Sequence, residues 1–263
     1  MVYKMMNFDI RENVAWITFN RPDALNAINR QAVVEFCDIV NRCTVDRTIR
    51  AVVLTGTGER AFCAGGDVAE FAQAGDKIEM LVREMTAVLH VGISRLAWLH
   101  APVIAAINGV AAGAGLSFAA CCDLAIAADH ARFTSAYTHI GLTPDGSSTF
   151  FLNRLLGRRR VLELYMTNRI LSAQEALDWG LVNRVVPAAD LMGEVTKLAR
   201  QLASGPTRAY AGIKKLVMMS PNDTLESQME RETRVIAEMS TTQDAREGIS
   251  AFVAKRKPHF IGE

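Results

Sequence analysis

The sequence predicts an α/β fold in which strand–strand–helix units repeat along the chain and a purely helical tail closes it. Three observations carry this. Apolar runs end twice on small-residue turns that lead into helical sequence, at 60–67 and 103–123. A stretch at helical spacing, 78–99, separates the two. From Leu191 onward strand signals fade and amphipathic helical spacing takes over. With 263 residues, of which 50% are hydrophobic, the chain can bury a large core, and its length suits one α/β domain with an appendage better than two equal domains.

In order along the chain, 14–19 (VAWITF) alternates as a strand does and is ended by Arg21-Pro22-Asp23. Residues 29–43 carry apolar positions at helical spacing, and 49–54 reads as a buried strand closed by Gly56-Thr57-Gly58. Another strand runs from Arg60 into Ala64-Gly65-Gly66-Asp67, and a mobile-looking approach at 73–77 precedes the helix at 78–99. In 103–123 (VIAAINGVAAGAGLSFAACCD) a β-branched run reaches Asn108-Gly109, and Gly113-Ala114-Gly115 then opens a second apolar run, giving buried strand, tight turn and buried helix. Short strands follow at 124–127 and 132–135, then a turn at 141–146, a helix from Ser147, and a helix whose start is marked by Ser172 and Glu175 as a capping box. Gly205-Pro206 and Ser220-Pro221 break the tail into successive helices. The expected division is a core over 1–195 and a helical region over 196–263, whose apolar faces call for oligomerisation.

Composition excludes several classes. A net charge of +1 gives no reason to expect nucleic acid or a membrane surface as partner. Cys37, Cys43, Cys63, Cys121 and Cys122 are odd in number, contain no C-x-x-C pair and sit among apolar residues, so a reducing, cytoplasmic setting is expected. The first thirteen residues lack an apolar signal core, and no apolar run is long enough to span a bilayer, so a soluble, unprocessed chain is expected. His90, His100, His130, His139 and His259 show no metal-ligand spacing, and no metal is expected.

Residues without bulk let a ligand approach the main chain closely, and the first N–H groups of a helix have no intrahelical partner. The Ala114 and Gly115 amides are therefore candidate donors to an oxyanion, and Gly65-Gly66 presents another, although the same small residues also serve tight packing. The stretch is not a phosphate-binding P-loop, since no Gly-Lys-Ser/Thr follows, and Phe118 stands where G-x-G-x-x-G needs its last glycine. Gly115-Leu116-Ser117-Phe118-Ala119 approaches the nucleophile elbow G-x-S-x-G but lacks its second glycine. Asp145, in Pro144-Asp145-Gly146, is a turn former or a placed acid/base. His90 alone reads as an ordinary helix histidine, and the clusters Arg158-Arg159-Arg160 and Lys255-Arg256-Lys257 as solvated faces.

Ala61-Phe62-Cys63-Ala64-Gly65-Gly66-Asp67, Ala106-Ile107-Asn108-Gly109 with Gly113-Ala114-Gly115, and Cys122-Asp123-Leu124 resemble the crotonase superfamily, the enoyl-CoA hydratases and isomerases. So do Leu171-Ser172-Ala173-Gln174-Glu175-Ala176, Gly180-Leu181-Val182 and the terminal Phe252-Val253-Ala254-Lys255-Arg256-Lys257-Pro258, so the resemblance covers essentially the whole chain. It implies a crotonase-like spiral of β-β-α repeats with a C-terminal helical trimerisation region, assembled as a homotrimer or a dimer of trimers. It also implies an acyl-CoA substrate whose thioester oxygen lies between the N–H groups of Gly66 and Ala114, with coenzyme A entering as part of the substrate and no cofactor bound permanently. Arg21, Ala24, Leu25, Ala64, Asp67 and Val68 resemble segments that hold the CoA nucleotide, and Phe252 and Lys255 resemble the part of a neighbouring subunit that closes over it.

Two departures shape the expected chemistry. Family hydratases carry two glutamates, and the positions aligned with them here are Ser117 and Tyr137, neither a carboxylate. Asp145, in Leu142-Thr143-Pro144-Asp145, falls where double-bond-shifting isomerases of the superfamily carry an acid. The expected reaction is isomerisation of an enoyl-CoA with Asp145 as acid/base, His90 and Tyr137 shaping the pocket. The alternatives are hydration, aryl-CoA chemistry like that of the 4-chlorobenzoyl-CoA dehalogenases, which Asp145 and His90 also resemble, and a CoA-ester binding protein that kept the cradle and lost its chemistry.

Overall fold

A computed structural model describes residues 2–263. After an antiparallel hairpin, β1 (Met6–Arg11) and β2 (Val14–Phe19), the chain deposits strands in pairs, one in each of two sheets. These pairs are β3 (Ala51–Gly56) with β4 (Ala61–Cys63), β5 (Val103–Ile107) with β6 (Val110–Ala112), and β7 (Leu124–Ala128) with β8 (Arg132–Thr134). The short β9 (Leu171–Ser172) and β10 (Arg184–Val186) finish the sheets, giving the orders β1-β2-β3-β5-β7-β10 and β4-β6-β8-β9. Apart from β1–β2 and β8–β9 the pairings are parallel. This is the expected spiral: every turn supplies a strand to each sheet before the chain crosses back.

The parallel strands β3 and β5 are buried along their whole length, as strands covered on both faces must be, which is why their sequences read as unbroken apolar runs. One face packs on α1 (Arg30–Val45), α3 (Ile78–Ala97) and α4 (Ala114–Cys121), around Phe19, Phe36, Phe62 and Phe118. The Asn29 side chain caps α1 by accepting the Ala32 N–H at 2.9 Å. The other face, bearing Val14, Trp16, Val53, Ile104 and Ile126, is covered by Leu191, Val195, Ala199 and Ala203 of α8 (Leu191–Ala203). The period-2 pattern of β2 thus serves two cores, with Ala15, Ile17 and Phe19 facing one and Val14 and Trp16 the other. Position 195 lies inside α8, and the helices that leave the sheet are α9 (Thr207–Met219), α10 (Leu225–Ser240) and α11 (Gln243–Val253).

Elements differ from expectation in detail. The strand expected at 49–54 is β3, two residues later, because the Ile49 N–H closes the turn after α1 on Asp46 O and Arg50 bonds to Asn13 O instead of joining a regular ladder. Residues 73–77, expected as a mobile approach, are the end of α2 (Val68–Ala74) and a 3-10 turn, Gly75–Lys77. The capping box is present: Ser172 Oγ accepts the Glu175 N–H and the Glu175 carboxylate accepts the Ser172 N–H at the start of α7 (Ala173–Trp179), the helix after α6 (Arg158–Thr167). Helix α9 is pinned to the core by Lys214 Nζ, 2.6 Å from Asp123 Oδ2 and 3.0 Å from Ala101 O. Val217, Leu225, Ile236, Ile249, Phe252 and Val253 on the last three helices are exposed. No helix among the described residues is long and apolar enough to cross a membrane.

Candidate active site

Two turns form the centre of the site. Strand β4 ends at Ala64-Gly65-Gly66, where Gly65 takes a positive φ of 99°, and α2 follows. Strand β6 ends at Gly113, φ 53°, and α4 begins at Ala114. The turns touch: a Cβ on Gly65 would lie 3.0 Å from Ala112 O and 3.4 Å from Ala114 N. Gly115 explains how close α4 comes to β4, since a Cβ there would stand 1.9 Å from Cys63 O. Among the described residues neither the Gly66 N–H nor the Ala114 N–H donates to a protein acceptor, and both residues line one cavity of about 400 Å³. Two unpaired amides opening on an apolar cavity are suited to stabilising negative charge on a ligand oxygen.

The rest of the lining is largely apolar. Helix α3 contributes Val82, Met85, Thr86 and Leu89, and Phe71 of α2 lies over Gly66, its Cζ 2.9 Å from where a Cβ would be. Among the described residues Asp145 is the one carboxylate in the lining. It sits in the turn between a 3-10 turn, Tyr137–Ile140, and α5 (Ser148–Leu156). Its Oδ1 accepts the Tyr137 hydroxyl at 2.7 Å. Burial and then the Asp145 charge raise the Tyr137 pKa well above the usual phenol range, so the hydroxyl keeps its proton and acts as a donor. Behind the carboxylate, the Ser117 and Ser148 hydroxyls donate to Asp145 O at 3.0 and 2.9 Å.

His90, on α3, approaches Asp145 from the other side. Its Nε2 accepts the Gly146 N–H at 3.2 Å and stands 3.5 Å from Asp145 Oδ2, a contact rather than an ion pair while Nε2 is accepting. It lines not the first cavity but a neighbouring one of about 660 Å³, together with Ser147. The wall between the two cavities is therefore built from His90 and the 145–147 turn.

The residues expected to hold the CoA nucleotide divide into two groups. Arg21, Ala24, Leu25, Ala64, Asp67 and Val68 come together: Arg21 pairs with Asp67 at 2.8 Å and donates to Ala27 O at 2.7 Å, and Leu25 O accepts the Ala64 N–H at 3.0 Å. Asp67 also caps α2 through the Ala69 and Glu70 amides. Burial would raise the Asp67 pKa, but the Arg21 hydrogen bond and those amides outweigh it and hold the carboxyl below its ordinary value. Phe252 and Lys255 are not part of this group. They lie at the exposed end of α11 and line no part of the cavity in their own chain. Among the described residues no cluster of three His, Cys, Asp or Glu side chains is arranged to hold a metal.

Sequence reasoning missed Ser148, the bond that joins Ser117 to Asp145, and the cavity-facing stripe of α3. Val82, Met85, Thr86 and Leu89 follow the same spacing as core residues, so periodicity alone does not separate a cavity wall from a packed face.

Comparison with known proteins fits this arrangement. Residues 9–263 match the family described as enoyl-CoA hydratase/isomerase. The chain is 37% identical to the 1,2-epoxyphenylacetyl-CoA isomerase of Escherichia coli strain K12, over 98% of this chain and all of that one. It is 40% identical to 4-chlorobenzoyl coenzyme A dehalogenase-2 of an Arthrobacter species, over 85% of this chain and 81% of that protein. The crystal structure of an enoyl-CoA hydratase from Bacillus anthracis superposes with a TM-score of 0.93 at 32% identity, covering 99% of this chain and 100% of that one. The chain belongs to the enoyl-CoA hydratase/isomerase family, within the crotonase superfamily.

Proposed function

We propose that this acyl-CoA enzyme shifts the double bond of an enoyl-CoA thioester. The observation that carries the reading is the placement of one carboxylate, Asp145, in a cavity that also presents the free amides of Gly66 and Ala114. The thioester oxygen accepts both N–H groups. Asp145 takes a proton from carbon 2 of a 3-enoyl thioester, the electrons of that C–H bond spread into a dienolate held at the oxygen, and the same proton returns to carbon 4. One carboxylate suffices, with the Tyr137 hydroxyl steadying it, and each oxyanion donor is worth about 10²–10³ in rate. The residues aligned with the hydratase glutamates, Ser117 and Tyr137, are both tied to Asp145, which speaks for isomerisation over hydration. Arg21, Ala24, Leu25, Ala64, Asp67 and Val68 hold the nucleotide in this reading. Phe252 and Lys255 cover it from a neighbouring subunit of a trimer that buries the exposed apolar side chains of α9 to α11.

A panel of 2-enoyl-, 3-enoyl- and aryl-CoA esters assayed with wild type and Asp145→Asn tests the reading. Conversion of 3-enoyl to 2-enoyl ester is expected, falling about 10²–10⁴-fold in Asp145→Asn. An unchanged rate in that variant sinks the assignment. His90 beside Asp145 Oδ2 favours a second reading, in which Asp145 attacks an aryl-CoA ring and His90 activates water against the resulting ester. That reading predicts halide release from 4-chlorobenzoyl-CoA that depends on both residues.

A further inference from the structure

We propose that Ser117 and Ser148 are positioning residues that fix the spacing between the Asp145 carboxylate and the oxyanion amides, an inference that rests on the acid/base role of Asp145. Both hydroxyls are buried, and both donate to the Asp145 carbonyl, which also accepts the Ser148 N–H at 3.2 Å. A helical serine commonly satisfies itself by bonding back to the carbonyl four residues earlier. In Ser117 that bond, to Gly113 O, is long at 3.4 Å, and the shorter bond, to Asp145 O at 3.0 Å, leaves the helix. Backbone packing follows the same line, since Gly146 has φ 59° and a Cβ there would lie 3.1 Å from Ser117 Cβ.

The consequence is geometric. Ser117 stands three residues after Ala114 on the same short helix, about 4.5 Å along its axis. The amide that holds the oxyanion and the hydroxyl that holds the backbone of the base are therefore parts of one rigid element. Ser148, from α5, fixes the same carbonyl from a second direction. Proton transfer to carbon depends steeply on this spacing, and a misplacement of 1 Å can cost about 10²-fold. At Ser117, where a hydratase would need a carboxylate, this chain carries the anchor for its own base.

Exchange of the α-protons of butanoyl-CoA in D2O, followed by NMR, requires only a base and an oxyanion site and reads this spacing directly. Ser117→Ala and Ser148→Ala are each expected to lower kcat for exchange about tenfold with KM within twofold of wild type, and the double variant about a hundredfold. Ser148→Thr, which keeps the hydroxyl, should recover most of the rate, a rescue that a purely structural role would not produce. Circular dichroism establishes that each variant is folded, and if Ser117→Ala is not, the Ser148 pair of variants decides. Wild-type kcat in a folded double variant, with exchange lost in Asp145→Asn, overturns the anchor role and leaves the base assignment standing. Wild-type exchange in Asp145→Asn overturns the base assignment instead, and no exchange in the wild type removes both.

Discussion

The two turns that carry the unpaired amides of Gly66 and Ala114 use the same local device with opposite support. At Ala114 the turn opens α4, a helix whose every residue is buried, so packing on all sides fixes its amide. At Gly66 the turn opens α2, which has no buried residue and is held by the Asp67 cap, the Arg21 ion pair and the ring of Phe71. One amide is placed by the core and the other by a few half-buried contacts. The Gly66 amide is therefore the more adjustable of the two, and the Ala114 amide is the fixed reference.

Substitutions should expose that asymmetry. The largest effect is expected from Gly115→Ala, which forces a Cβ against the Cys63 carbonyl and should cost about 3 kcal/mol or more of stability in urea unfolding. A loss under about 1 kcal/mol would mean that α4 is not held as tightly as its burial indicates. Next, Tyr137→Phe removes the donor to Asp145, a bond to a charged group worth about 1.5–3 kcal/mol, so stability in urea unfolding should fall by about that much and kcat should fall with it.

On the α2 side the expected losses are smaller. Asp67→Ala removes a helix cap worth about 1 kcal/mol and frees Arg21, which should raise KM for the CoA ester more than it lowers kcat. The Asp67 contribution also has a defined pH dependence. Its folded pKa lies below the ordinary value of 3.8, so the stabilisation is complete above that pH and is lost as pH falls through the folded value. Urea midpoints of wild type and Asp67→Asn should therefore stay a fixed distance apart at neutral pH and converge as pH falls below 3.8, and a gap that stays constant there would exclude the carboxylate as its source. Gly66→Ala should be mildest in stability, about 1 kcal/mol, because the added Cβ meets the movable ring of Phe71 rather than backbone.

Much of this was legible because it is local. The capping box at Ser172 and Glu175, the helix breaks at Gly205-Pro206 and Ser220-Pro221, and both small-residue turns carry their information within a few residues. The strands β1, β6, β9 and β10 were not seen: β6, β9 and β10 have two or three residues and give no period to read, and β1 is an edge strand with one buried residue that pairs only with β2. The site was partly legible for the same reason. The resemblance pointed to Gly66, Ala114 and Asp145, and the fold brings them to one cavity. Ser117 was read for the glutamate it lacks and for an incomplete nucleophile elbow, but not for its bond to Asp145 O, which crosses 28 positions of sequence. Spacing and periodicity give no sign of the contact between His90 and Asp145, and only the resemblance to the dehalogenases named the two together.

Gly115 has a consequence for how this gene can drift. Every other amino acid carries a Cβ, so any missense change at codon 115 drives an atom into the Cys63 carbonyl, whatever the chemistry of the new side chain. Helix α4 must then retreat from β4 and carry the Ala114 amide away from that of Gly66. A saturation scan would show codon 115 as uniformly inactivating. Codon 66 would show losses graded by side-chain size.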